Sequence, residues 1–198
     1  MSVFIDVETN GLPNCNNLKF GEYPNPKNLL DYSDCRIVQI TFLLCNDDLE
    51  ELLLKDYVIK GDFEIHNSVI HGITKEISEK NGKDLKEVFE ELKEVLYMTK
   101  KIYAHNADFD VNVIKSEMIR SGEKELLSLF SEKEVVCTMK KTINFVNAKN
   151  KYGKLKVPSL KELYYKVFKR EIEGAHNSKY DVLNLYEIVK KIRDLFLI

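Results

Sequence analysis

Four carboxylates and one histidine, spread over three stretches, are the residues of this chain best suited to chemistry. Asp6 and Glu8 stand in FIDVETNGLP, Asp110 in AHNADFD, and His176 with Asp181 in GAHNSKYD. Each acid has apolar neighbours suited to a core, where an ionised carboxylate is costly without a partner. Hard divalent cations are natural partners for such oxygens. A free histidine beside them adds a base whose ordinary pKa lies near neutrality. That set is the equipment of metal-assisted phosphodiester hydrolysis.

Spacing decides which of these groups can share a target. SVFIDV at 2–7 reads as a strand, so Phe4, Asp6 and Glu8 fall on one face and Val3, Ile5 and Val7 on the other. Two adjacent carboxylates repel and one pKa rises unless a cation lies between them. The plainer alternative is a strand end reaching solvent. Gly11 leaves the backbone free to approach a ligand. In AHNADFD a strand end meets a helix start, the edge at which open α/β sheets bind ligands. Asp108 there suits a cap or helix-dipole role, and Asp110 is the site candidate. His176 and Asp181 would be roughly 140° apart on one helix at about 3.6 residues per turn. They face one cleft if the helix begins at Asn177 or Ser178, with His176 in the loop before it. Ser178 to Asp181 also resembles a capping box, which would explain Asp181 but not His176.

The elements that must position these residues follow from periodicity. Strands are expected at 2–7, 36–45 and 52–58, forming an antiparallel meander around the turn Asn46-Asp47-Asp48. Next come a helix at 84–97, a strand at 101–105 and a helix at 108–121 stopped by Gly122. A short strand at 134–137 leads to a helix near 138–145, a basic loop, and a helix at 159–168. The last helix, 178–197, carries the stripe Val182, Leu185, Tyr186, Val189, Ile192 and Phe196. A meander followed by β/α alternation predicts an α/β layered domain with a mixed sheet, and residues 1–198 read as one domain. Residues 10–34 form a long polar loop rich in Asn and Pro.

A net charge of −2 excludes a global cationic field. Locally the balance differs. Residues 147–170 hold Lys149, Lys151, Lys154, Lys156, Lys161, Lys166, Lys169 and Arg170 against Glu162 alone. A solvated loop and helix face is the plain reading, and a phosphate-backbone contact the sharper one. Cys15, Cys35, Cys45 and Cys137 lack the close pairing of a zinc site or disulfide framework, which points to a reducing compartment. With no basic leader before the first strand, a cytoplasmic or nuclear location is expected rather than secretion. No apolar run approaches the ~20 residues of a membrane span, so no membrane partner is expected.

Taken together the stretches resemble the DEDDh exonucleases, the superfamily of bacterial proofreading epsilon subunits and three-prime repair exonucleases. Asp6, Glu8, Thr9, Gly11 and Leu12 match its first motif. His105, Asn106, Ala107, Phe109 and Asp110 match the second, and His176 with Asp181 the third. Ile70–Thr74 is the family's Ile-His-Gly-Ile-Thr signature. Each motif alone is weak, but the four occur in order across residues 2–185.

The resemblance implies a ribonuclease-H-like fold, a five-stranded mixed sheet flanked by helices. It implies 3′→5′ exonuclease activity on DNA, releasing nucleoside monophosphates with two Mg²⁺ or Mn²⁺ ions. By the same resemblance Asp6, Glu8 and Asp181 bind one metal, Asp6 bridges to the second, and Asp110 holds that one through water. His176 is then the general base. Leu12, His71 and Phe109 flank the terminal nucleotide, with Thr9, Gly11 and Asn106 also on the substrate side. The implied partner is a nucleic acid with a free 3′ end, and proofreading would need a separate polymerase or replication chain. An RNA-trimming enzyme and a non-catalytic nucleic-acid-binding module are the rival readings.

Val7, Asn10, Cys137 and Ser178 depart from the family's usual Thr, Thr, Asp and Ala. None is an implied ligand, and Cys137 reads as packing. The loop at 13–34 is longer than a minimal member needs and reads as a solvated insertion, with Tyr23 or Lys27 as its candidates for substrate contact.

Overall fold

The computed structural model describes residues 1–19, 21–174 and 176–196. β1 (Ser2–Thr9) alternates as its sequence requires: Val3, Ile5 and Val7 enter the larger core, and Phe4 a second core on the other face. β1 pairs antiparallel with β2 (Ile37–Cys45), and β2 antiparallel with β3 (Glu51–Val58). On its other side β1 runs parallel to β4 (Lys101–Ala104), and β4 parallel to β5 (Glu134–Cys137). The result is the expected mixed sheet, in the order β3-β2-β1-β4-β5. β2 is buried at every position, and its two polar residues, Gln39 and Thr41, lie on the face that carries Asp6 and Glu8.

Helices cover both faces. After α1 (Ser68–His71) and α2 (Lys75–Asn81), α3 (Leu85–Met98) presents Val88, Phe89, Leu92 and Leu96 to the larger core. α4 (Ala107–Ser121) adds Val113, Ile114 and Met118, and α5 (Lys124–Ser131) adds Leu126 and Phe130. Two four-residue helices follow, α6 (Thr138–Lys141) and α7 (Ile143–Val146), then α8 (Leu160–Phe168) and α9 (Ser178–Lys191). α9 closes the second face by packing Val182, Leu185 and Val189 against Phe4, Leu43 and Tyr103.

Four expectations need correction. The helix near 138–145 is two pieces, divided at Thr142, whose backbone leaves the helical region with φ −106° and ψ 9°. The last helix stops at Lys191 and continues as a 3₁₀ turn, Arg193–Phe196; residue 197 and the Phe196 side chain lie outside the described residues. α1, α2 and α5 were not expected at all. The 13–34 loop is not wholly solvated: most of it is exposed, but Tyr32 is fully buried in the larger core and its hydroxyl donates to the Pro24 carbonyl at 2.7 Å.

Candidate active site

Asp6 and Glu8 are opposite Thr41 and Gln39 in the β1–β2 register, so these four side chains share one face. That face meets the start of α9. The Ser178 hydroxyl hydrogen-bonds Thr41 Oγ1 at 2.7 Å, and the Ser178 N–H donates to Gln39 Oε1 at 3.3 Å. Asp56 on β3 accepts from both Thr41 and Gln39 and fixes the pair from behind. With α9 pinned at its first residue, Asp181 in the first turn comes down on the two strand acids. One carboxylate oxygen from each of Asp6, Glu8 and Asp181 lies within 4.8 Å of the others.

Asp110 arrives from the opposite side of β1. β4 pairs with β1 only over Ser2–Phe4, so the Val7 N–H further along is free to donate to Asp110 Oδ1, at 3.2 Å. Asp110 is 2% exposed. Asp108, two residues earlier, instead pairs with Lys140 in the first turn of α4, in keeping with a helix-start role.

Crowding these acids leaves a clear electrostatic mark. Burial, then the charges of Asp110, Asp181 and Glu8, hold the Asp6 carboxyl well above the usual range. Burial and Asp181 push Glu8 up to about 7. Burial raises Asp181 to about 6, although the His176 N–H and imidazole pull the other way. Asp110 is raised by burial against the hydrogen bond from Val7. Such a cluster is poorly compensated by protein groups alone, and its oxygen-only donors suit a hard divalent cation.

His105 and His176 have separate roles. His105 has both ring nitrogens engaged, Nδ1 with Thr138 Oγ1 at 3.0 Å and Nε2 with the Pro158 carbonyl at 3.1 Å. Burial lowers its pKa to about 4, so it is a neutral structural group. His176 is exposed, in the left-handed region at φ 67°, and its N–H donates to Asp181 Oδ2 at 3.2 Å. The helix begins at Ser178 after Asn177, which puts His176 in the loop and Asp181 on the helix. The Asp181 carboxylate therefore accepts from His176 and the capping-box alternative falls away.

Several motif residues do structural work that the sequence did not announce. Thr9 Oγ1 donates to the Gly11 carbonyl at 2.7 Å. A Cβ on Gly11 would lie 2.3 Å from the Asp34 carbonyl, so this glycine admits the returning loop rather than a ligand. The departing Asn10 accepts from the Arg36 N–H at 2.7 Å and donates to the Glu64 carbonyl at 2.9 Å, tying three segments together. The Asn106 amide donates to the Tyr23 hydroxyl at 2.8 Å, and the Tyr23 ring packs 5.6 Å from that of Phe109. Leu12 is 73% exposed. His71 is buried, its Nδ1 accepting from the Ile73 N–H, which leaves Nε2 as a donor with no partner among the described residues. Of the two candidates in the 13–34 loop, Tyr23 is half-buried against Phe109 and Asn106.

The RNase_T exonuclease family model matches residues 3–189. The chain belongs to this exonuclease family. The family is that of the DEDDh 3′→5′ exonucleases. No curated protein is close enough in sequence to match. Among solved structures the chain is similar to E. coli exonuclease I in complex with a dT13 oligonucleotide, with a TM-score of 0.72 and 16% identity over 97% of this chain and 40% of that one. It is also similar to the same enzyme with a dA16 oligonucleotide (TM-score 0.69, 14% identity, 98% and 40% covered). The exonuclease I from Methylocaldum szegediense gives a TM-score of 0.68 at 16% identity, again covering 98% and 40%. The chain thus spans about 40% of these relatives' length, and at this identity the likeness is one of fold.

Proposed function

We propose that this exonuclease-family domain removes nucleotides one at a time from the 3′ end of single-stranded or frayed DNA, releasing nucleoside 5′-monophosphates. The observation that carries the reading is the convergence of Asp6, Glu8 and Asp181 within 4.8 Å, with the exposed His176 held beside Asp181. Asp6, Glu8 and Asp181 would hold one divalent cation, Mg²⁺ or Mn²⁺, and Asp6 with Asp110 a second. Bound there, the cations supply electrostatic stabilisation of the entering and leaving oxygens. His176 takes the proton of the attacking water at its imidazole, and its exposed loop position lets it meet that water. The leaving strand departs with a 3′-hydroxyl.

Phe109 and Tyr23 form an aromatic wall beside Asp110 on which any base can stack, in keeping with little sequence preference. Retention of all four acids and the histidine favours an enzyme over a non-catalytic module, since such a cluster costs stability. The test is product analysis on 5′-labelled single-stranded DNA, recessed duplex and RNA. A stepwise ladder shortening from the 3′ end, with nucleoside 5′-monophosphates released fastest from single-stranded DNA, is the expected result. Faster degradation of RNA would move the substrate class, and internal cuts would refute the reaction.

A further inference from the structure

The basic segment that follows α7 is built as one surface. Ala148 and Lys156 are joined by a backbone hydrogen bond of 2.9 Å, and Lys149 bridges Leu155, so residues 148–156 form a hairpin closed by the turn at Asn150–Gly153. Its tip carries Lys151, Lys154 and Tyr152, which is 74% exposed. From the hairpin's base an open groove of about 370 Å³ runs along α8, lined by Val146, Tyr165, Lys166 and Lys169 and also by Glu162 and Glu171. Lys156, Lys161 and Arg170 are paired with Glu162, Glu171 and Glu187. Lys149, Lys151, Lys154, Lys166 and Lys169 are exposed and have no acidic partner among the described residues. These cations and the exposed Tyr152 and Tyr165 form a locally positive, partly aromatic surface on a chain whose net charge is −2.

The segment is also tied to the stretch that leads to Asp110. Two residues beyond the hairpin, the Pro158 carbonyl is held by His105 Nε2, and His105 directly precedes the Asn106–Asp110 segment. A hairpin arm of three residues reaches about 10 Å from such an anchor.

We infer that the 148–156 hairpin and the α8 groove form a track for the phosphate backbone of a single strand, engaging nucleotides upstream of the one being removed. The five free lysines neutralise successive phosphates, and Tyr152 and Tyr165 offer faces on which bases stack regardless of sequence. The inference rests on the proposed exonuclease reading for its polarity but not for the binding itself.

The test replaces Lys149, Lys151, Lys154, Lys166 and Lys169 by Gln, removing charge from exposed positions, beside a charge control at Lys86, Lys124 and Lys133. Binding of fluorescent dT12 is followed by anisotropy in EDTA across a salt series. The track predicts affinity lost on the order of tenfold or more and a log–log salt slope reduced by roughly 3, at about 0.7 per phosphate contact. The control should bind like wild type, and Lys→Arg replacements should restore binding. In turnover, the ratio of dT12 to dT3 cleavage should fall by about the same factor as the affinity. Unchanged dT12 binding, or equal losses on dT12 and dT3, would overturn the track. If wild type cleaves neither oligonucleotide while dT12 binding still depends on the five lysines, the exonuclease reading fails and the track stands.

Discussion

The backbone N–H of His176 donates to Asp181 Oδ2 at 3.2 Å, although five residues separate them and a single helix would place them on different faces. The left-handed turn at His176 makes this possible. Because the link is through the main chain, the imidazole remains free, and the proposed roles in metal holding and proton transfer can be separated by substitution.

His176→Ala should therefore lower kcat by about 10²–10⁴-fold, the usual worth of a positioned general base. Mn²⁺ affinity, measured by titration calorimetry, should stay close to wild type. A large loss of Mn²⁺ affinity would make His176 a ligand instead.

The raised carboxylates predict an inverted pH dependence of stability. Glu8 titrates at about 7 and Asp181 at about 6 in the folded protein, above their unfolded values, so the native state holds more protons between about pH 4 and 7. Stability in EDTA should fall as pH rises through that window, with Glu8 costing roughly 2 kcal/mol once its partial exposure is allowed for. Mg²⁺ should raise Tm far more at pH 8 than at pH 5, and Asp6→Asn should raise Tm in EDTA at pH 8. A Tm in EDTA that rises from pH 5 to 8 would contradict the crowding.

Much of this was legible in the sequence for a physical reason. Period-two alternation in Ser2–Thr9 is enough by itself to separate the acid face from the core face. The three motif stretches fall where the sheet requires them. Other features were silent because they depend on distant partners. Nothing local to Gly11 announces the Asp34 carbonyl, and nothing local to Asn10 announces Arg36 and Glu64. α5 did leave a signal, Leu126 and Phe130 at i,i+4, which the eye passes over in so short an element. The hydrogen bond between Ser178 and Thr41 turns an apparent departure into the pin that aims Asp181.

Tyr23 should matter through its ring more than its hydroxyl. Tyr23→Phe loses the bond from Asn106, a net contribution of about 1 kcal/mol, and should change KM little. Tyr23→Ala also removes the contact with Phe109 and should raise KM several-fold with kcat largely kept. Identical kinetics for the alanine variant and wild type would place the loop outside the site.

Glu117 is the structural counterpart of the active-site acids, buried but paired. At 2% exposure it receives Arg36 Nε at 2.5 Å and Arg36 Nη2 at 3.3 Å, with Arg120 at 3.7 Å. Glu117→Ala should cost about 3–5 kcal/mol by leaving the arginines unpaired, lowering Tm on the order of 10 °C for a chain of this size. Differential scanning calorimetry checks this, and a shift of only a degree or two would show that the pair adds little.

The central claim is that a metal-holding acid cluster and a free histidine together cut from the 3′ end. Its most direct measurement is the rate of 3′ shortening of a 5′-labelled single strand in Mg²⁺ and in EDTA, for wild type, Asp6→Ala and His176→Ala prepared in parallel. The account predicts a Mg²⁺-dependent ladder for wild type, abolished by EDTA and by either substitution. A ladder that survives Asp6→Ala, or that runs equally well in EDTA, would contradict it.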